Sequence, residues 1–137
     1  MMVDAKHPLI SVITMIAPSP DWFTGFQDIN LLNEDGTWKD VFVAETLACD
    51  GGTSDGDTYV TERVHTNPQA PIYQYTATTN PKTNVFMKDG KVAPVAKWMC
   101  TLQGPAFAGS VTTTTTTTTM ILVVLVVVVE LYRNEPI

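Results

Sequence analysis

The stretch "ITMIAPSPDWFTG", Ile13–Gly25, changes character at its midpoint: β-branched and apolar residues run into two prolines, and an acid then stands directly before two aromatics. A strand must stop at "APSP", because Pro18 and Pro20 cannot donate to a sheet ladder and each biases the preceding residue toward an extended conformation. Asp21 therefore sits on a stiff loop at a strand end. An acid in that position either caps a turn by accepting a backbone N–H two residues on, or waits for a ligand.

Outward from this stretch the pattern is that of strands. "LISVITMI" (9–16) reads as a buried strand, and "TWKDVFVAETLA" (37–48) as a longer one with Val41 and Val43 on one face and Phe42 and Ala44 on the other. "DTYVTERV" (57–64) and "IYQYTATT" (72–79) read as further strands. Asp35-Gly36 and Asp89-Gly90 mark tight reversals, the second flanked by Lys88 and Lys91 as the clearest hairpin in the chain. Helical periodicity is missing, since every window of adequate length is interrupted by Pro, Gly or a Thr cluster. Short strands at roughly ten-residue spacing predict an all-β fold, an antiparallel β-sandwich.

With 137 residues the chain fits one domain, able to bury about two-thirds of its unfolded surface. Its net charge of −6, from 14 acids against 8 Lys and Arg, argues against a nucleic-acid partner, which needs a clustered basic surface. The acidity suits an extracellular surface or a hard-cation site. The two cysteines, Cys49 and Cys100, lack the C-x-x-C spacing of zinc and redox sites. They are read either as two free thiols or as one disulfide closing a loop of about 50 residues. "MMVDAKHPLI" is too short and too polar for a signal peptide, so the expectation is either a mature form or export not encoded in this sequence.

A second acidic stretch, "CDGGTSDGDTY" (49–59), crowds Asp50, Asp55 and Asp57 into a loop loosened by three glycines. Mutually repelling carboxylates on a flexible loop suit calcium, which takes six to eight oxygens, including carbonyls, at about 2.3–2.6 Å. The spacing is not that of an EF-hand, because the twelfth position from Asp50 is Thr61. The alternative is a solvated turn. "GTSDG" also matches a G-x-S-x-G nucleophile elbow, with Ser54 as nucleophile and His65 as base, but that elbow works only between a strand and a helix of a large α/β sheet. No enzyme is expected. His7 and His65 read as ordinary surface or strand residues. Trp22, Phe23, Trp38 and Trp98 read as core or loop anchors, with an exposed Trp22-Phe23 pair touching a partner as the alternative.

Taken together, "TMIAPSPDWFTG" (14–25), the Asp-Gly reversal before Trp38 and the acidic loop resemble, from His7 to Gly56, the spondin domain of F-spondin and mindin-type matrix proteins. The resemblance implies a secreted extracellular β-sandwich, similar to calcium-dependent lipid-binding sandwiches, that binds one calcium ion through the acid of the P-D-W block and the acids of the later loop. Those are Asp21 and Asp50. The family's third acid falls at Ser54, with Asp55 substituting by a one-residue shift or backbone carbonyls completing the shell. The implied role is calcium-dependent adhesion or recognition, with an extracellular protein, a glycan or a second copy as partner.

The sandwich is expected over residues 1–110, with 111–137 as a separate Thr/Val segment. Between Val111 and Tyr132 no turn residue occurs, so an extended chain of roughly 70 Å is expected, against a radius of gyration near 14 Å. "MILVVLVVVV" (120–129) is about half the length of a membrane span, so no span is expected there. Two roles remain for the segment: a last core strand, or a strand donated to a neighbour's sheet, making the chain a subunit of an extracellular filament.

Overall fold

The computed structural model describes residues 2–60, 64–79, 81–82, 84–105 and 121–128. These form twelve strands and no helix: β1 (Met2–Val3), β2 (Leu9–Met15), β3 (Trp22–Asn30), β4 (Val41–Thr46), β5 (Cys49–Asp50), β6 (Ser54–Asp55), β7 (Val64–His65), β8 (Tyr73–Gln74), β9 (Met87–Lys88), β10 (Lys91–Val92), β11 (Ala96–Pro105) and β12 (Ile121–Val128). One antiparallel sheet has the order β1-β12-β11-β4, a second β2-β3-β5-β8, and β6-β7 and β9-β10 are separate two-stranded ribbons. The fold is all-β, with two four-stranded sheets packed against each other.

β2 ends where the prolines require it, and β3 begins at Trp22, so the two strands run antiparallel from Leu9↔Asn30 to Met15↔Phe23. At Gly25 the backbones come so close that a Cβ would lie 2.1 Å from the Val12 carbonyl oxygen. β2 was expected to be buried. Instead only Ile10 is buried while Leu9, Ile13 and Met15 are exposed, because β2 is an edge strand with one face in solvent. β4 is shorter than the 37–48 expected, and Val41 and Val43 do share its outer face. The Asp89-Gly90 hairpin forms as read, both residues taking positive φ (51° and 75°), as a two-residue type I′ connection requires. The described parts of 57–64 and 72–79 hold only β7 and β8, two residues each, so the continuous strands expected there are corrected to loops anchored by short pairings; 61–63 lie outside the described residues.

Part of the tail forms a strand of the first sheet. Ile121–Val128 pairs with β11 on one side, from Lys97↔Val128 to Pro105↔Ile121, and with β1 on the other, at Met2↔Leu122. Its pairing with β11 runs along the strand, whereas β1 covers only Ile121 and Leu122 on the other edge. The remainder of the segment, 106–120 and 129–137, lies outside the described residues.

Two core clusters lie between these elements. In the first, Val3, Ile10, Leu31 and Cys100 are buried with Phe26, Trp38 and Phe42 packed around them, joining the two large sheets. In the second, Ile16, Trp22, Ala48, Tyr75, Phe86 and Val95 are buried beneath the loops. A buried polar chain links the sheets between the clusters: Trp98 Nε1 donates to Thr46 Oγ1 at 2.7 Å, and Thr24 Oγ1 lies 2.7 Å from Thr46 Oγ1 and 2.8 Å from the Leu47 carbonyl oxygen.

Candidate metal centre

The loop that carries Asp21 is built from its own short side chains. Ser19 is buried, with its hydroxyl bonded to the Ile16 carbonyl and accepting the Trp22 N–H at 3.2 Å, while Ile16 N–H donates to the Trp22 carbonyl at 3.0 Å. Pro20 is fully buried against Gly56, where a Cβ would lie 2.2 Å from the ring. Asp21 is thereby fixed at the head of β3. The register Trp22↔Asp50 places Asp50 beside it on β5, and Asp50↔Tyr73 brings in β8.

Asp21 Oδ2 accepts three donors from the acidic loop: Thr53 N at 2.7 Å, Thr53 Oγ1 at 2.9 Å and Ser54 N at 3.0 Å. The loop reaches it only because Gly51 carries no side chain, a Cβ there meeting Asp21 Oδ2 at 3.0 Å. Gly52 takes φ +70° with its Cα against the Ala70 carbonyl, so a side chain is excluded twice over. Asp21 Oδ1 is buried and has no hydrogen-bond partner among the described residues. Asp50 is held on both oxygens, Oδ1 by Gly52 N at 2.8 Å and Oδ2 by the Tyr75 hydroxyl at 2.7 Å. Burial, and then the hydrogen bond and charge of Asp50, push the Tyr75 hydroxyl far above its ordinary range, so it stays a donor. Burial also raises Tyr73, followed by the charge of Asp50 and, to a lesser degree, Asp21; both carboxylates lie within reach of one phenol.

Ser54 is buried, and it contributes its N–H to Asp21. Asp55, the next residue on β6, faces the other way and accepts Thr66 Oγ1 at 2.9 Å. The substitution of Asp55 for the third acid is therefore not what the geometry brings together: strand alternation turns Asp55 away from the Asp21 loop contact. Asp55 and Asp57 instead line an open cleft of about 470 Å³, which Asp50 and Tyr75 also border. Among the described residues no three His, Cys, Asp or Glu side chains gather closely enough to hold a metal ion alone. The centre has two carboxylates, and any further ligands would have to be neutral oxygens.

Other sequence-predicted residues are dispersed. Trp22 is wholly buried, its indole meeting Tyr59, Tyr75 and Phe86 with ring centroids 5.4, 6.1 and 4.8 Å away, which corrects the reading of Trp22 as a partner contact. Phe23 points from the opposite face of β3 and lines an outer groove of about 580 Å³ with Ile13, Cys49 and Ile72. The disulfide is corrected as well. Both cysteines are free, Cys49 on the outer groove of one sheet and Cys100 in the core from the other, and burial raises both thiols above their ordinary range. Ser54 and His65 pair in register, but they join two-residue strands with no helix among the described residues, so the elbow context is missing. Sequence reasoning missed Thr53 and Tyr75; the alternation in "YQY" was the available signal, since it puts Tyr73 and Tyr75 on one face.

An acid at the head of β3 is thus held by the Gly-rich acidic loop, and comparison with known proteins shows the family. The Spondin_N family profile matches residues 1–94. The chain belongs to the Spondin_N family. This Spondin_N chain is 34% identical over 98 residues to Spondin-2 of Rattus norvegicus, covering 69% of the chain and 29% of that protein. It is 30% identical over 95 residues to Spondin-1 of Xenopus laevis, covering 69% of the chain and 12% of that protein. With human Spondin-1 the figures are 32% over 88 residues, 64% and 11%. The chain thus spans under a third of the length of these relatives. Among its described residues no helix is long and apolar enough to cross a membrane.

Proposed function

We propose that this spondin-type module is an extracellular, calcium-binding adhesion and recognition domain. The observation that carries the reading is the asymmetry of the Asp21 carboxylate. One oxygen takes three donors from the loop bearing Asp50, while the other is buried with no partner. A buried carboxylate oxygen without a donor costs about 1–3 kcal/mol, and more when charged, and a cation removes that cost. Asp21 Oδ1 and Asp50 would hold the ion, with neutral oxygens of the 50–56 loop completing the shell. Calcium would supply positive charge beside the carboxylates carried by the P-D-W loop and by the acidic loop and so join the two. The chain's own residues do the rest: Thr53 and Ser54 orient Asp21, Gly52 and Tyr75 orient Asp50, and the β3-β5-β8 ladder fixes the strand ends that carry them.

Family membership supports an extracellular setting and an extracellular protein or glycan as partner. Phe23, Ile13 and Ile72 on the outer groove are the apolar surface such a partner would meet. The described strand β12 lies within its own sheet, paired along β11 and with β1 at Ile121 and Leu122, which favours the recognition reading over filament assembly through this segment. Calorimetric titration of the chain with calcium chloride, beside Asp50→Ala, tests the reading. The parent is expected to bind one ion and the variant none; equal heats for the two would reject a shared site.

A further inference from the structure

Resting on the calcium reading, we infer that Tyr75 is the positioning residue of this centre: its buried hydroxyl fixes the Asp50 carboxylate in the orientation that binds the cation. Tyr75 is 2% exposed. Its ring is held by Phe86, Tyr73 and Trp22, with centroids 5.1, 5.3 and 6.1 Å away, and its N–H donates to the Ala48 carbonyl at 3.0 Å. The phenol therefore cannot swing, and the Oδ2 it holds at 2.7 Å cannot swing either. Gly52 N holds Oδ1, so the pair of donors sets the plane of the carboxylate.

Neither donor excludes a metal, since each carboxylate oxygen has two lone pairs. Hydrogen bonds to a ligating carboxylate typically change metal affinity by about 10–100-fold when removed. Without the hydroxyl, the half-buried Asp50 would keep only Gly52 N and the neighbouring Tyr73 hydroxyl and would be held less firmly against turning toward the open cleft. A tyrosine that merely filled the core would behave differently, because its hydroxyl could then be removed without consequence for the ion.

The test is calorimetry with calcium chloride on the whole chain as parent, Asp50→Asn, Tyr75→Phe and Tyr59→Phe, with melting curves in a chelator alongside. Phenylalanine keeps the Tyr75 ring in place, and Tyr59→Phe removes a hydroxyl from the same aromatic cluster, which also packs on Trp22 and Phe86. The expected result is a one-to-one isotherm for the parent, none for Asp50→Asn, affinity lowered about 10–100-fold for Tyr75→Phe, and parental affinity for Tyr59→Phe. Parental affinity in Tyr75→Phe, or equal weakening in Tyr59→Phe, overturns the positioning role and leaves the calcium reading standing. No heat from the parent overturns both.

Discussion

The two core clusters are built by different means. The cluster around Ile10, Leu31 and Cys100 lies between long strands whose ladders run six or seven residue pairs, so backbone pairing and apolar burial support the same geometry. The cluster around Trp22, Tyr75 and Phe86 sits at the first residue of β3 beside the two-residue strands β5 and β8, and depends on edge-to-face rings and on loop bonds to Asp21 and Asp50. Repetitive pairing tolerates sequence change, because backbone hydrogen bonds need no particular side chain. An aromatic cluster under carboxylate-pinned loops does not, and that is the end of the molecule at which the candidate site sits.

The strongest way to break the comparison is Trp22→Ala, expected to cost about 3–5 kcal/mol in urea unfolding through the cavity it leaves. If the fluorescence of the remaining Trp38 and Trp98 then unfolds at a higher urea concentration than near-ultraviolet signals from the tyrosines, the two ends are separable; a single shifted transition makes them one cooperative unit. A smaller effect, about 1–3 kcal/mol, is expected for Thr46→Val, which leaves the buried Trp98 N–H without its acceptor while keeping the side-chain shape. Since Thr46 joins the sheets between the clusters, both signals should move together in this variant.

pH sharpens the contrast least in size but most in sign. Burial pushes the Tyr59 hydroxyl up at the aromatic end. With its folded pKa above the unfolded value near 10, the stability it lends is complete below about pH 10 and is lost as pH rises further. In the Leu32–Trp38 turn at the other end, the Thr37 hydroxyl and N–H hold Asp35 below its ordinary value. The stability from that depressed carboxylate is present above about pH 4 and is lost as pH falls through the folded value. Melting followed by tyrosine signals should therefore weaken first in alkali, and the exchange protection factor of the Thr37 amide, taken relative to its slower intrinsic exchange in acid, should fall first as pH is lowered.

What the sequence disclosed divides along the same line. Proline punctuation, the Asp-Gly hairpin and the alternation of Val41 and Val43 against Phe42 and Ala44 are local signals, and local physics determines them. The P-D-W block and the Gly-rich acidic loop were legible as partners through the family resemblance, and the β3-β5 register brings them together. The rest depended on tertiary placement. The sequence spacing of Cys49 and Cys100 does not reveal that they belong to different sheets. Asp55 misleads because a one-residue step in a strand reverses the face. Two-residue strands such as β7 and β8 are too short to leave a periodic trace, and a homopolymeric tract carries no register of its own.

The placement of β12 has a consequence for the order of events during synthesis. Its partners in β1 lie about 120 positions away, at Met2↔Leu122 and Val3↔Ile121, whereas the β2-β3 hairpin can close as soon as Asn30 has left the ribosome. Until residue 128 emerges, β11 offers an unpaired edge ten residues long, and distant pairings form slowly because loop closure must come first. A nascent or refolding chain therefore passes through an interval with a sticky seam on an otherwise half-built sheet, when another strand can take the place meant for its own.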